Sequence, residues 1–300
     1  MTDLARNPIK YIILGVFFYF LIFLMSDIRS LLDVLSVFDY SKLAVAIALV
    51  VTGYLIRLMR WNFYMRGLSI KTKSSALVFF AGFSMTVTPA KLGEVLKSFL
   101  LKQSDKIPKA RSLPAVIMER FGDVTGLSLL LILTSLSYGQ HIAFFFLLLS
   151  VLTLIVLAKT NVAERVVNIL MKKKAGRVRE MKKNMNKLVT KKIIFYTLVT
   201  SAVTWLFECL ALWLIVSGFG ASIDLKTAVF IFSLSTIAGA LSFLPGGLGV
   251  TEGSMYLLLV SASLAPNIAL AAMLLVRLCT LWLAVFLGLI SLYLFNRSIR

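Results

Sequence analysis

The sequence predicts an all-α, polytopic integral membrane protein with about six full transmembrane helices and two re-entrant, broken helical segments that form an inverted-topology repeat. Three observations carry that expectation. The 300-residue chain is 59% hydrophobic with a mean hydropathy of +0.92, far above the apolar share of a soluble domain. Its apolar residues fall in long uninterrupted runs rather than short alternating strands, and in hydrocarbon only helices or closed barrels pair every backbone N–H and C=O. Its basic residues gather between those runs.

Six runs have the length that a core of roughly 30 Å requires: 9–25, 43–59, 113–136, 142–158, 193–216 and 268–295. The first lacks a small-residue cleavage signal and reads as a retained helix. Two further apolar segments are interrupted. Segment 76–101 is broken at Thr88-Pro89-Ala90-Lys91-Leu92-Gly93-Glu94, and segment 227–264 at Leu244-Pro245-Gly246-Gly247-Leu248-Gly249-Val250-Thr251-Glu252-Gly253. Each half is too short to cross alone.

Lys and Arg in short loops stay on the cytoplasmic side, so charge parity decides whether these segments cross or turn back. If both re-enter, the cytoplasmic parts are the N-terminus, 57–73, 102–111, 159–192 and the tail, and they hold 25 of the 32 basic residues. Three, Arg29, Lys42 and Lys226, then lie outside. If only the first segment crossed, Lys102, Lys106, Lys109 and Arg111 would move outside with the tail. Re-entry is the expectation, with both termini cytoplasmic and the whole of 1–300 a single transmembrane domain in the cytoplasmic membrane.

The net charge of +19 does not signal nucleic acid. The loop 159–192 carries twelve basic residues against Glu164 and Glu180, without interleaved aromatics or a binding module, and reads as a cytoplasmic loop near anionic headgroups. The only histidine, His141, falls in a predicted loop, which turns the reading away from His-based catalysis. Cys209 and Cys279 lie in apolar runs without CxxC spacing and signal neither a disulfide nor a metal site. No cofactor or metal is expected, and the sequence assigns no oligomeric state.

The two breaks share Pro-x-x-Leu-Gly followed by a glutamate. Arg120 lies 31 residues after Pro89 and Arg277 lies 32 after Pro245, each inside the next predicted span. The repeat units, about 43–136 and 193–295, run in opposite senses under the re-entrant topology. Oppositely directed repeats with interrupted helices near the midplane are a recurrent transporter architecture. Pro89 and Pro245 lack an N–H and disfavour helix at the residue before them. Gly93, Gly246, Gly247 and Gly249 permit turns or close approach of a ligand, and the freed helix N-terminal amides attract anions.

Ionisable residues within or beside the core are Lys91, Glu94, Lys97, Glu119, Arg120, Asp123, Glu208, Glu252 and Arg277. Each costs on the order of 2.5–3.5 kcal/mol at a helix centre, so they imply a polar interior. In Glu119-Arg120-Phe121-Gly122-Asp123 a helix brings Glu119 and Asp123 to one face and Arg120 within reach of Asp123. This cluster reads equally as a structural salt-bridge network or as a substrate-facing group. Arg277, near the middle of its span, needs a carboxylate, a carbonyl or a substrate phosphate as partner, and Glu252 and Glu208 are the candidate carboxylates.

At Pro89 to Glu94, Glu119 to Asp123 and Pro245 to Glu252 the sequence resembles the flippase-like membrane region of lysylphosphatidylglycerol synthases. The resemblance covers most of the chain. It implies a lipid translocator or lipid-binding membrane domain, with membrane lipids bearing a phosphate-containing headgroup as partners. Only five residues follow Phe295, so the expectation is a stand-alone membrane domain without the soluble synthase domain, which puts lysylated lipid as substrate in question. The favoured reading is a carrier rather than an enzyme. Pro89, Lys91, Gly93, Glu94 and the stretch from Pro245 to Glu252 then line a central cavity, and Arg120 and Arg277 contact phosphate. A membrane-embedded lipid-modifying enzyme and a non-transporting lipid-binding scaffold stay open as alternatives.

Overall fold

Among the described residues, three helices of the computed structural model are long and apolar enough to cross a bilayer: Tyr40–Tyr64, Lys191–Gly218 and Pro266–Ser298. The shortest has 25 residues, about 37 Å at 1.5 Å per residue. The structure describes residues 13–19, 28–66, 68, 70, 72–88, 92–135 and 175–299. Among these no strand occurs, and the chain is a multi-pass helical membrane protein. The predicted span 142–158 and most of 9–25 lie outside the described residues.

Residues 13–19 are helical. The elements after them are α1 (Ile28–Ser36), α2 (Tyr40–Tyr64), α3 (Thr72–Phe83), a 3₁₀ turn (Leu92–Val95), α4 (Leu96–Ser104) and α5 (Lys109–Ser135). Then come α6 (Ala175–Leu188), α7 (Lys191–Gly218), α8 (Leu225–Leu241), α9 (Val250–Ser261), α10 (Pro266–Arg277) and α11 (Leu283–Ile299). A π turn, Leu278–Trp282, joins α10 to α11 without interrupting the helical path.

Local chemistry sets several starts. Asp39, Thr190 and Asp224 cap α2, α7 and α8 by accepting from the backbone N–H of Ser41, Ile193 and Thr227. Hydrogen bonds from the Ser41 and Thr227 hydroxyls hold the carboxyls of Asp39 and Asp224 below the usual carboxylate range. Pro266 stands at the start of α10, where its missing N–H costs nothing.

The central contact is α2 on α7. Asp39 N–H donates to the Gly218 carbonyl, Gly53 packs on Thr204, and the Tyr64 and Thr197 hydroxyls share a hydrogen bond, so the pair runs antiparallel. α5 joins through Gly122 and Gly126, four residues apart, where any Cβ would come within 3 Å of Ser201. Small residues at this spacing let helices approach closely without water between them. α11 lies antiparallel to α3, with Ser291 donating to the Leu77 carbonyl and Gly288 against the backbone of Phe83 and Ser84.

Two differences from the sequence reading have physical causes. α2 continues past the predicted end of its span, so Arg57 and Arg60, expected in a cytoplasmic stretch, lie within a helix and are covered by protein. Carboxylates on α7 and α5 meet their charges. Part of the basic segment 159–192 is the helix α6, which buries Met181 against Ala110 and Leu113 and leaves Lys182, Lys183 and Lys187 exposed. A period of about four between Met181 and Met185 gives it one apolar face.

Gly288 and Gly253 give a paired test. A Cβ on Gly288 would sit 2.1 Å from the Ser84 nitrogen, whereas one on Gly253 meets nothing within 4 Å. Gly288→Ala is expected to lower the melting temperature of the detergent-solubilised protein by several degrees, an overpacking cost of about 1–3 kcal/mol. Gly253→Ala is expected to leave it unchanged or raise it.

Candidate functional site

The described backbone leaves helical geometry at 84–88 in the first interrupted segment, ahead of the expected break at 88–94, and from Ser242 to Gly249 in the second, and the glutamates that follow, Glu94 and Glu252, are buried. α3 ends at Phe83 and its backbone turns through 84–88, where the Ala81 and Met85 carbonyls accept from both the N–H and the hydroxyl of Ser84 and Thr88, respectively. Pro89, Ala90 and Lys91 lie outside the described residues. The chain resumes in the 3₁₀ turn that contains Gly93 and Glu94, and Glu94 is 2% exposed.

The second break runs from Ser242 to Gly249. Gly246, Gly247 and Gly249 have φ of 62°, 68° and 87°, a region that a side chain disfavours. Gly247 also faces a spatial limit, since a Cβ there would stand 2.6 Å from the Thr251 hydroxyl. Glu252 turns back to accept from the Gly249 N–H at 2.8 Å and so closes the first turn of α9.

Each break carboxylate is held by an arginine from a later helix. Arg120 of α5 lies 3.0 Å from Glu94, and Arg277 of α10 donates from Nε to Glu252 at 2.6 Å. Of the two carboxylates the sequence offered Arg277, the structure selects Glu252. Arg277 also donates from Nη2 to the Gly246 carbonyl at 3.0 Å, tying down the non-helical backbone itself. Tyr19, in the helical stretch 13–19, donates to the same Glu252 oxygen at 2.7 Å.

The first break carries a larger network. Lys97, fully buried, bridges Glu94 and Glu119 at 3.0 Å each. Its ammonium also lies 4.6 Å from the centre of the Phe79 ring. Arg120 reaches Asp123 at 3.0 Å, and Asp123 is 3.6 Å from Arg60, whose Nη1 donates to the Ser201 hydroxyl. Gly82 admits the lysine, because a Cβ there would overlap its aliphatic stem.

These groups surround one cavity of about 490 Å³. Glu94, Glu119, Arg120 and Asp123 line it from the first half, and Gly246, Gly247 and Arg277 from the second. Pro245, Gly249 and Glu252 are not among the lining residues, and Glu252 holds the lining Arg277. The ionised lining comprises Arg57, Arg60, Arg120 and Arg277 against Glu94, Glu119, Asp123 and Glu208, so positive and negative groups match in number among the described residues. The rest of the wall is largely apolar, and Leu241 and Leu244 line the cavity while also facing outward.

The sequence reading did not single out Arg57, Arg60 or Tyr19 as site residues. Arg57 pairs with Glu208 at 2.8 Å and lies over the Trp205 ring, and Tyr54 donates to the Thr280 carbonyl in the π turn. One signal was available. Arg57 and Arg60 are three apart on an otherwise apolar helix, the spacing that puts two charges on one face. The tie from Tyr19 to Glu252 spans 233 residues and has no local signature.

The chain matches the family described as the lysylphosphatidylglycerol synthase TM region over residues 9–288. Among curated relatives it is similar to UPF0104 membrane proteins of Methanothermobacter thermautotrophicus. One match is 30% identical over 112 residues and spans 37% of this chain and only 33% of the relative. Another is 27% identical, covering 83% of this chain and 82% of the relative. A UPF0104 membrane protein of Pyrococcus horikoshii is 22% identical over 92% of this chain and 94% of its own length.

Burial separates two ion pairs by consequence. Lys97→Met leaves Glu94 and Glu119 without their shared cation, and is expected to destabilise the protein by about 3–5 kcal/mol or to abolish its folded yield. Arg111→Ala removes an exposed pair with Glu180 and is expected to cost under about 1 kcal/mol. Thermal melting of the two variants side by side checks the ranking.

Proposed function

The chain belongs to the lysylphosphatidylglycerol synthase transmembrane-region family, and on that premise we propose that it binds a phospholipid or a polyprenyl- or glycolipid-linked molecule in the central cavity and carries its headgroup across the membrane. The observation that carries this reading is the composition of the cavity wall. Arginines and carboxylates from both halves line it together with apolar side chains, among them Leu127, Ile237 and the outward-reaching Leu241 and Leu244. An amphiphile combines the same two chemistries: its headgroup matches the charged groups and its chains match the apolar ones.

In this reading the units 43–136 and 193–295 are inverted repeats and the two broken segments re-enter from opposite sides. The matched pairs Glu94–Arg120 and Glu252–Arg277 support it, as does the brevity of the helices flanking the breaks. α3 and α9, at 12 residues each, extend about 18 Å, well short of a crossing. Two exchangeable halves around one site give two similar states open to opposite sides, which is what moving a headgroup requires. The basic segment 159–192, with α6 inside it, lies at the cytoplasmic surface against anionic lipid.

A headgroup-accessibility assay in reconstituted vesicles tests the proposal. Protein is expected to transfer labelled phosphatidylglycerol, or a labelled polyprenyl-phosphate lipid, between leaflets faster than protein-free vesicles do. Ala240→Trp, which fills the cavity from α8, is expected to suppress that transfer while the melting temperature holds. Folded protein that changes the leaflet distribution of none of the offered lipids would contradict the reading.

A further inference from the structure

The five cations around the cavity are not held alike. Lys97 and Arg60 are 0% and 1% exposed, whereas the Arg120 side chain is 29% exposed. Both ion pairs of Arg120, to Glu94 and to Asp123, are made through Nη2, and its Nε has no partner among the described residues. Its carboxylate partners, by contrast, each have a second cation. Glu94 keeps Lys97 at 3.0 Å, and Asp123 keeps Arg60 at 3.6 Å.

We infer that Arg120 is the exchangeable cation of the cavity: it leaves Glu94 and Asp123 to take the phosphate of a bound headgroup, while Lys97 and Arg60 stay in place and keep both carboxylates paired. This rests on the lipid reading above and assigns the phosphate contact within it. Breaking a buried ion pair is costly when a charge is left uncovered. Turning Arg120 uncovers none. The same move by Arg277 would take from Glu252 its ion-pair partner and release the Gly246 carbonyl, and the same move by Arg57 would strip Glu208. Arg60 would likewise leave Asp123 with a second cation, but it is 1% exposed and held by Ser201, whereas Arg120 is 29% exposed. Arg120 is therefore the lining arginine that is both replaceable and reachable, and a guanidinium presents paired donors that fit phosphate oxygens.

Removing a carboxylate should improve binding, because Glu94 and Asp123 compete with the ligand for Arg120. The test titrates the full-length protein in detergent with short-chain phosphatidylglycerol by calorimetry, with inorganic phosphate as a second probe. Thermal melting of each variant reports folding. Arg120→Gln is expected to weaken lipid binding about tenfold or more, the loss of a charged hydrogen-bonded contact, and Arg120→Lys is expected to fall between. Glu94→Gln is expected to tighten binding severalfold, and Asp123→Asn tests the same competition independently should the first variant not fold.

Wild-type affinity in Arg120→Gln overturns the inference and leaves the lipid reading standing. Weaker binding in both Glu94→Gln and Asp123→Asn, with melting unchanged, also overturns it, because a merely structural network loses affinity in every variant. Inorganic phosphate binding as tightly as the lipid, and dependent on Arg120, supports the anion contact and overturns the lipid as its source. Failure of the wild type to bind either probe overturns both.

Discussion

A carboxylate held by an arginine from a later helix is the contact on which the rest of this structure depends. Backbone that leaves helical geometry at membrane depth exposes N–H and C=O groups that hydrocarbon cannot satisfy. At the second break Glu252 takes the Gly249 N–H, Arg277 takes the Gly246 carbonyl, and the two side chains take each other. At the first break Glu94 is gripped by Arg120 and Lys97 together. Without these pairs the buried carboxylates at both breaks, and the Gly249 N–H and Gly246 carbonyl at the second, would lose these partners.

The pairs also explain the packing around them. A guanidinium buried beside a helix needs room and covering groups, and glycine supplies the room. Gly82 admits Lys97, while Gly122 and Gly126 bring α5 against Ser201 on α7, where Arg60 and Asp123 meet. Gly288 lets α11 lie on the end of α3, next to the break itself. Helix contacts and charge network are thus one construction, because a wider helix spacing would separate the ions it contains.

The helical membrane class was legible because hydropathy and charge placement are properties of whole segments. The breaks were legible because proline and glycine act locally. The pairing of Arg277 with Glu252 was readable as one of two choices, since few carboxylates lay within a plausible distance along the fold. The extension of α2 was hidden by its own arginines: the predicted span stops at 59, just before Arg60, and only Glu208 and Asp123, distant in sequence, make the charges of Arg57 and Arg60 tolerable inside. Tyr19 was hidden for the same reason, because a hydroxyl in an apolar run acquires meaning only from the partner that tertiary structure brings to it.

The proposed lipid reading rests on a cavity that joins both breaks and whose ionised lining groups match in sign and number among the described residues. The most direct test is photoaffinity mapping in native-like membranes with a phospholipid that carries the reactive group beside its phosphate. Adducts are then located by peptide mass spectrometry. The account predicts adducts on cavity-lining residues from both halves, around Thr86 and Arg120 in the first and around Ala240 and Gly247 in the second. Adducts confined to outward-facing residues such as Val45, Phe195 and Val199, with none at either break, would contradict it.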